Sequence, residues 1–137
     1  MNQRNKLPLL VVLLLLAVSC HSLPRETISD IEISFDGIEK VRVSGGALEI
    51  SYTGGTETDK VFLNAFVESK DPGMEGVRYR QSGTELIVEF ETDSHGSFLF
   101  GNPVEGFISL KGPRNVALDM HNSSGKMEVY HVKNESI

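Results

Sequence analysis

The twelve residues Val41-Arg42-Val43-Ser44-Gly45-Gly46-Ala47-Leu48-Glu49-Ile50-Ser51-Tyr52 set the pattern for most of the chain. Apolar and polar residues alternate on both sides of the Gly45-Gly46 pair. A period of two sends one set of side chains into a core and the other into water. The glycines interrupt that run because they adopt turn conformations at little steric cost. Upstream, Ile31, Ile33 and Phe35 alternate with Glu32, Ser34 and Asp36. Downstream, Leu86, Val88 and Phe90 alternate with Glu85, Ile87, Glu89 and Glu91, and Val116, Leu118 and Met120 alternate with Ala117, Asp119 and His121. Val61 to Val67 differs, because Val61, Phe62, Leu63, Ala65, Phe66 and Val67 are all apolar, which predicts a strand covered on both faces.

Between these runs lie Gly54-Gly55, Asp71-Pro72-Gly73, Ser82-Gly83, Gly101-Asn102-Pro103, Gly112-Pro113 and Ser123-Ser124-Gly125. Each is turn chemistry by mechanism: positive φ from glycine, preset φ and a missing donor from proline. Outside the N-terminal leader no window holds a helical period, so residues 30–137 are expected to be all-β. The turn spacing fits a sandwich, a barrel or a solenoid. Gly106 to Val132 reads apolar strand, Gly-Pro corner, strand, Asn-Ser-Ser-Gly corner, strand, which suits the rungs of a coil. A hairpin would use the same residues, so these corners lean toward a β-solenoid, with a β-sandwich as the alternative.

The first residues read as an address. Arg4 and Lys6 give a positive start, Leu7 to Val18 is apolar apart from Pro8, and small residues stand at Ala17 and Ser19. That order is a secretory signal peptide. A twelve-residue helix rises about 18 Å, short of a hydrocarbon core of roughly 30 Å, so a permanent span is not expected. The chain's one cysteine, Cys20, follows directly. Ala17-Val18-Ser19-Cys20 resembles the lipobox of bacterial lipoproteins, whose cysteine is acylated and becomes the mature first residue; alanine stands where leucine is commoner. The expected organisation is a signal peptide over 1–19, a lipidated Cys20 with a tether over 20–29, and the β domain over 30–137. No acidic run follows Cys20, which favours an outer-membrane anchor facing the periplasm over surface display.

Composition removes several classes. Of 137 residues, 39% are hydrophobic and 23% charged, too apolar for a disordered tail and long enough for one domain. Thirteen Lys and Arg against 19 Asp and Glu, with no basic stripe, argue against a nucleic-acid partner. One cysteine leaves no internal disulfide and no Cys-rich zinc site. Cleavage before Cys20 removes Arg4 and Lys6 and no acid, taking the formal charge from −6 to −8.

Phe35-Asp36-Gly37-Ile38-Glu39-Lys40-Val41-Arg42-Val43 followed by Ala47-Leu48-Glu49-Ile50 resembles the opening of bacterial adhesin-type domains with a head of the GIN type and related toast-rack β-solenoids. Gly83-Thr84-Glu85-Leu86-Ile87-Val88, the strand-Pro-strand segment Ile108 to Met120, and Asn122-Ser123-Ser124-Gly125-Lys126-Met127-Glu128-Val129 with its Ser-Ser-Gly corner are similar to later segments of that family. The resemblance covers about residues 30 to 132. It implies a right-handed solenoid, an envelope location, often a lipid anchor, and no enzymatic activity. Members of the family usually carry further rungs beyond the first Ser-Ser-Gly corner. A chain ending at Ile137 therefore implies a tail that caps the last rung, a partner that does, or a truncated gene.

Candidate chemistry is sparse. Asp119 and His121 lie two apart on a strand and point the same way, and His131 on a neighbouring strand would complete a set of zinc or copper ligand types. The solvated face opposite Val116, Leu118 and Met120 accounts for the same residues. Asp93, Ser94, His95 and Ser97 hold the residue types of a hydrolytic triad, but four loop neighbours seldom converge and no Gly-x-Ser-x-Gly elbow is present. Ser123-Ser124-Gly125-Lys126 lacks the first glycine and the following helix of a phosphate loop. Glu85, Glu89, Glu91 and Asp93 form an acidic strip that suits a cation or simply water. Phe98, Leu99 and Phe100 cannot all point inward from one strand, which makes them a candidate partner contact.

The sequence therefore predicts a lipid-anchored envelope protein that acts as a non-catalytic binding or scaffold module and needs no cofactor. Its partners would be the membrane through Cys20 and either another envelope protein or a second copy through the C-terminal end. The rival is a small envelope hydrolase or metal-dependent enzyme using Asp93, His95, Asp119 or His121.

Overall fold

The computed structural model describes residues 24–55, 59–71, 73–91 and 104–133. They form β1 (Glu26–Phe35), β2 (Lys40–Ser44), β3 (Glu49–Gly54), β4 (Val61–Ser69), β5 (Arg78–Ser82), β6 (Glu85–Glu89), β7 (Val104–Gly112), β8 (Ala117–His121) and β9 (Met127–Tyr130), with no helix among the described residues. The described residues are all-β, in two mixed sheets, neither of which closes on itself: a five-stranded sheet in the order β1-β4-β7-β3-β9 and a four-stranded sheet in the order β5-β6-β2-β8.

Parallel pairing dominates the middle of both. β2 is parallel to β6 and to β8, and β3 is parallel to β7 and to β9. The order β6-β2-β8 in one sheet thus matches β7-β3-β9 in the other, and in each pair the chain passes from the four-stranded to the five-stranded sheet. Antiparallel strands are added at one flank: β4 and then β1 on β7, and β5 on β6.

Alternation becomes continuous rows of inward side chains. Ile31, Ala65, Ile108, Ile50 and Met127 are in register across the five-stranded sheet, and Ile33, Leu63, Leu110, Tyr52 and Val129 form the next row. Leu86, Val41 and Leu118, then Val88, Val43 and Met120, do the same across the other sheet. These rows meet in one core with Ile38, Leu48, Phe90, Val104 and Val116, except at their outer ends, where Ile33 on β1 and Met127 on β9 are 37% and 40% exposed. Burying one such side chain is worth roughly 1.5–3 kcal/mol, and a one-residue slip would turn every member of a row outward. That dependence fixes the register.

The flank formed by β1 and β5 is cross-linked between sheets. Ser29 Oγ accepts the Val77 N–H at 2.8 Å, the Gln81 side chain donates to the Asp36 carbonyl at 3.0 Å, and the Phe35 and Tyr79 rings meet edge-on at 5.7 Å. Two sequence readings change here. β1 begins at Glu26, so residues 26–29, read as tether, are strand, with Ser29 buried. β5 has no buried residue in its five and carries no apolar period, so nothing in its pattern announced a strand.

Tyr52 is fully buried and donates its hydroxyl to the Pro113 carbonyl at 2.8 Å. Burial pushes its pKa up to about 12. The folded chain therefore holds the phenolic proton more tightly than the unfolded chain does. That stabilisation is complete below about pH 10 and is lost as pH rises toward 12, a change of order 2–3 kcal/mol. Urea midpoints measured from pH 8 to 12 should fall over that upper window. Tyr52→Phe should lose this component of the slope at a cost of about 1 kcal/mol near neutrality, the worth of one hydrogen bond.

Candidate functional site

β8 and β9 form the last two-strand unit, and the corner between them is seated on the corner of its neighbour. Residues 122–126 lie against residues 45–48: the Ser123 N–H donates to the Gly46 carbonyl at 2.9 Å, Gly45 N–H to His121 O at 3.0 Å, and Ile50 N–H to Lys126 O at 2.9 Å. The Asn122 amide bridges the two corners, donating to Leu48 O at 2.7 Å and to Lys126 O at 3.4 Å.

The far side of this unit is an edge in both sheets at once. Among the described residues β8 pairs only with β2, and β9 only with β3. Met127 faces the same way as Ile50, its register partner, yet Met127 is 40% exposed where Ile50 is 0%. Val129, in register with fully buried Tyr52, is likewise only partly buried. Apolar side chains that point toward the core are thus left half covered, because among the described residues no strand pairs with the far side of β8 or β9. On the other face of β9, Lys126, Glu128 and Tyr130 hydrogen-bond together; Lys126 and Tyr130 hold the Glu128 carboxyl below its usual range, and Glu128 raises both partners.

The residues singled out for metal chemistry are only partly brought together. His121 Nε2 lies 2.8 Å from Asp119 Oδ1 on the outer face of β8, and Asp119 Oδ2 is 3.5 Å from the Arg42 Nε. His131 is not on a strand beside them. It follows β9, in the other sheet, with φ 56, so the core separates it from Asp119 and His121. Among the described residues no three His, Cys, Asp or Glu side chains are placed to hold a metal ion. Arg42 also lies 3.4 Å from Glu85, so Asp119 and the first residue of the acidic strip share one guanidinium, and Arg78 pairs with Glu91 of that strip at 3.8 Å. Cys20, Phe98, Leu99 and Phe100, with Asp93, Ser94, His95 and Ser97, lie outside the described residues.

The outer face of the five-stranded sheet escaped the sequence reading. β4 is not covered on both sides: Phe62 is 42% exposed and Phe66 partly exposed, while Val61, Leu63, Ala65 and Val67 are buried. The parity of the run carried the signal. Positions 61, 63, 65 and 67 are all apolar, whereas 62, 64, 66 and 68 are Phe, Asn, Phe and Glu, a mixed set that belongs to a solvent-facing side.

Comparison with protein-family models, with curated proteins and with solved structures found no match to this chain.

Proposed function

We propose that this protein is a lipid-anchored component of a bacterial cell envelope whose β body is a non-catalytic binding or scaffold module. Its partner, another envelope protein or a second copy, adds a strand to the open β8–β9 unit. The observation that carries this reading is the coincidence of two edges: among the described residues the β8–β9 unit lies at the edge of both sheets, with half-covered Met127 and Val129 between them. Strand addition needs only main-chain partners and a few apolar pockets, and both are present there. Natural edges that must not pair are kept short or carry inward charge; β8 and β9 are short, at five and four residues, but no charged side chain points inward between them.

The matched parallel triples also suit successive rungs of a β-solenoid, in line with the resemblance to toast-rack domains, with β1, β4 and β5 closing the first rung. Cys20 supplies the anchor in this reading. Only His21, Ser22, Leu23 and Pro24 separate it from Arg25, which is ion-paired to Glu105 at the base of β7. Five Cα steps span at most about 18 Å, so the body is held close to the bilayer. The base that faces it is the end bearing corners 45–48 and 122–126.

Met127→Lys tests the edge. A lysine there points between the sheets and opposes an incoming strand, while its stem can reach water from a side chain already 40% exposed. Size-exclusion with light scattering and cross-linking in envelope extracts should show oligomers or a specific partner for the full-length protein in non-ionic detergent. The variant should lose them with unchanged circular dichroism. A strict monomer that captures nothing specific sinks the proposal.

A further inference from the structure

Across β1, β4, β7 and β3 one row of outward side chains reads Asp30, Phe66, Phe107, Glu49, each in register with the next. The two rings lie 6.5 Å apart, tilted by 33°, and Phe107 is 37% exposed. Beside this row is an open depression lined by Glu32, Ser34, Phe62, Asn64, Ser109 and Lys111. The five strands of this sheet carry seven acids (Glu26, Asp30, Glu32, Glu49, Glu68, Glu105 and Glu128) and one basic residue, Lys111. The strands of the other sheet carry Lys40, Arg42, Arg78 and Arg80 against Glu85, Glu89 and Asp119. Negative charge is therefore concentrated on the one sheet that also exposes phenylalanines. Glu105 and Glu128 are paired with Arg25 and Lys126; Asp30, Glu32 and Glu68 have no ion-pair partner among the described residues, and Glu49 makes no salt bridge although Lys126 lies within its electrostatic reach.

We propose that this face binds an extended basic segment of a partner protein, with a cation, an apolar or aromatic residue and a second cation at alternate positions. Carboxylates and aromatic ring faces both attract cations, so the two features of the row select the same chemistry. The spacing selects the pattern. Neighbouring strands are about 4.8 Å apart, so Asp30 and Glu49 stand roughly 14 Å from each other. An extended segment laid across the strands advances about 3.4 Å per residue and covers that distance in four, with residues i, i+2 and i+4 facing the sheet. Cations at i and i+4 then meet Asp30 and Glu49, and the residue at i+2 rests on Phe66 and Phe107. This surface is separate from the β8–β9 edge and needs no anchor, so it stands whether or not the preceding proposal does.

The test is a titration of the full-length, isotopically labelled protein in non-ionic detergent, followed by amide chemical shifts. The probe is the capped peptide Lys-Ser-Phe-Ser-Lys, with Glu-Ser-Phe-Ser-Glu as comparison. The lysine peptide should shift amides of β4 and β7 around Phe66 and Phe107, with a dissociation constant on the order of 0.1–1 mM for so few contacts. Binding should weaken about threefold between 50 and 300 mM salt. Asp30→Asn with Glu49→Gln, both on the surface, should weaken it about fivefold or more, and Phe107→Ser about tenfold. Lys111→Gln should tighten it. The idea is overturned if the acidic peptide binds equally well or the double variant binds like the parent. It is equally overturned if the shifts map to β8 and β9, or if none appears by about 5 mM.

Discussion

Replacing Gly125 with alanine is expected to destabilise the folded chain by about 3–5 kcal/mol, a large part of what a domain of this size has in total. A Cβ at Gly125 would stand 1.9 Å from the Leu48 carbonyl oxygen, 2.6 Å from its carbon and 2.7 Å from the Asn122 amide nitrogen. Two of those three atoms are backbone, so no rotamer change relieves the contact. The corner 122–126 must lift from the corner 45–48. Lifting it breaks the bonds from Asn122 to Leu48 O, from Ile50 N–H to Lys126 O and from Ser123 N–H to Gly46 O. Three hydrogen bonds at about 1 kcal/mol each, plus the buried carbonyl left without a donor, give the stated magnitude. Gly83→Ala is the control. Its added Cβ meets nothing within 4 Å, and only the positive φ of 60° is unfavourable, at roughly 1–2 kcal/mol. Urea midpoints of the two variants should differ accordingly, and amides of β9 should lose hydrogen-exchange protection in the first variant only. A Gly125→Ala midpoint within about 0.5 kcal/mol of the parent would show that the corners are not in contact in solution.

The two glycines mark what a sequence can and cannot disclose. Ser123-Ser124-Gly125 is visibly a corner, because its residue types serve turns wherever they stand. What Gly125 excludes, a side chain between two stacked corners, depends on residues 45–48 lying beneath it, more than seventy positions away in the chain. The same division runs through the strands. β2, β3 and β8 were legible because one face of each is buried, and burial writes a period of two into the residues; β6 carries the same period although Ile87, on its other face, is buried as well. β5 was not, since an edge strand with five exposed side chains leaves no such imprint. β4 was legible as a strand and misread in its surroundings. A run with apolar residues of both parities fits a covered strand, and also fits a strand that shows phenylalanines to water. The pairing of Asp119 with His121 follows from spacing within one strand. Placing His131 with them required β9 to lie beside β8, whereas β9 lies beside β3. Spacing along a chain fixes which way a side chain points, but only topology fixes its neighbours.

Topology also distinguishes the two flanks of the body. At one, β1 and β5 are joined across the sheets by Ser29, Gln81 and the Phe35–Tyr79 contact, so an incoming strand meets side chains already engaged. At the other, β8 and β9 are joined through the chain at residues 122–126 and end without a side-chain bridge of that kind among those described. In the proposed reading, growth by addition of strands is directed to the β8–β9 flank, and the acidic aromatic face of the five-stranded sheet is left for the proposed basic segment. A module with two independent surfaces of unlike chemistry suits a scaffold better than a single-ligand receptor.

Cys20→Ser should move the protein wholly from the membrane fraction to the soluble fraction. The leader's apolar run, Leu7 to Val18, is too short to hold a span, and a chain cut before Cys20 keeps none of it. What remains has a formal charge of −8, so anionic lipid repels the body. The described residues contain no helix long and apolar enough to cross a bilayer. In the proposed reading attachment rests on the acyl chains of one residue, at about 0.8 kcal/mol per buried methylene, with at least two chains needed for a stable hold. Removing the sulfur would remove all of them together, and among the described residues no membrane-crossing helix takes their place. The measurement is fractionation at low and high salt, paired with the intact mass of the parent protein. A parent whose mass shows Cys20 at its N-terminus carrying acyl chains, with a soluble serine variant, supports the anchor. A serine variant that stays with the membrane at both salt concentrations shows that the leader is retained or that the body itself binds lipid. In either of those cases Cys20 is not what holds the body, and the limit of about 18 Å counted from Cys20 no longer applies.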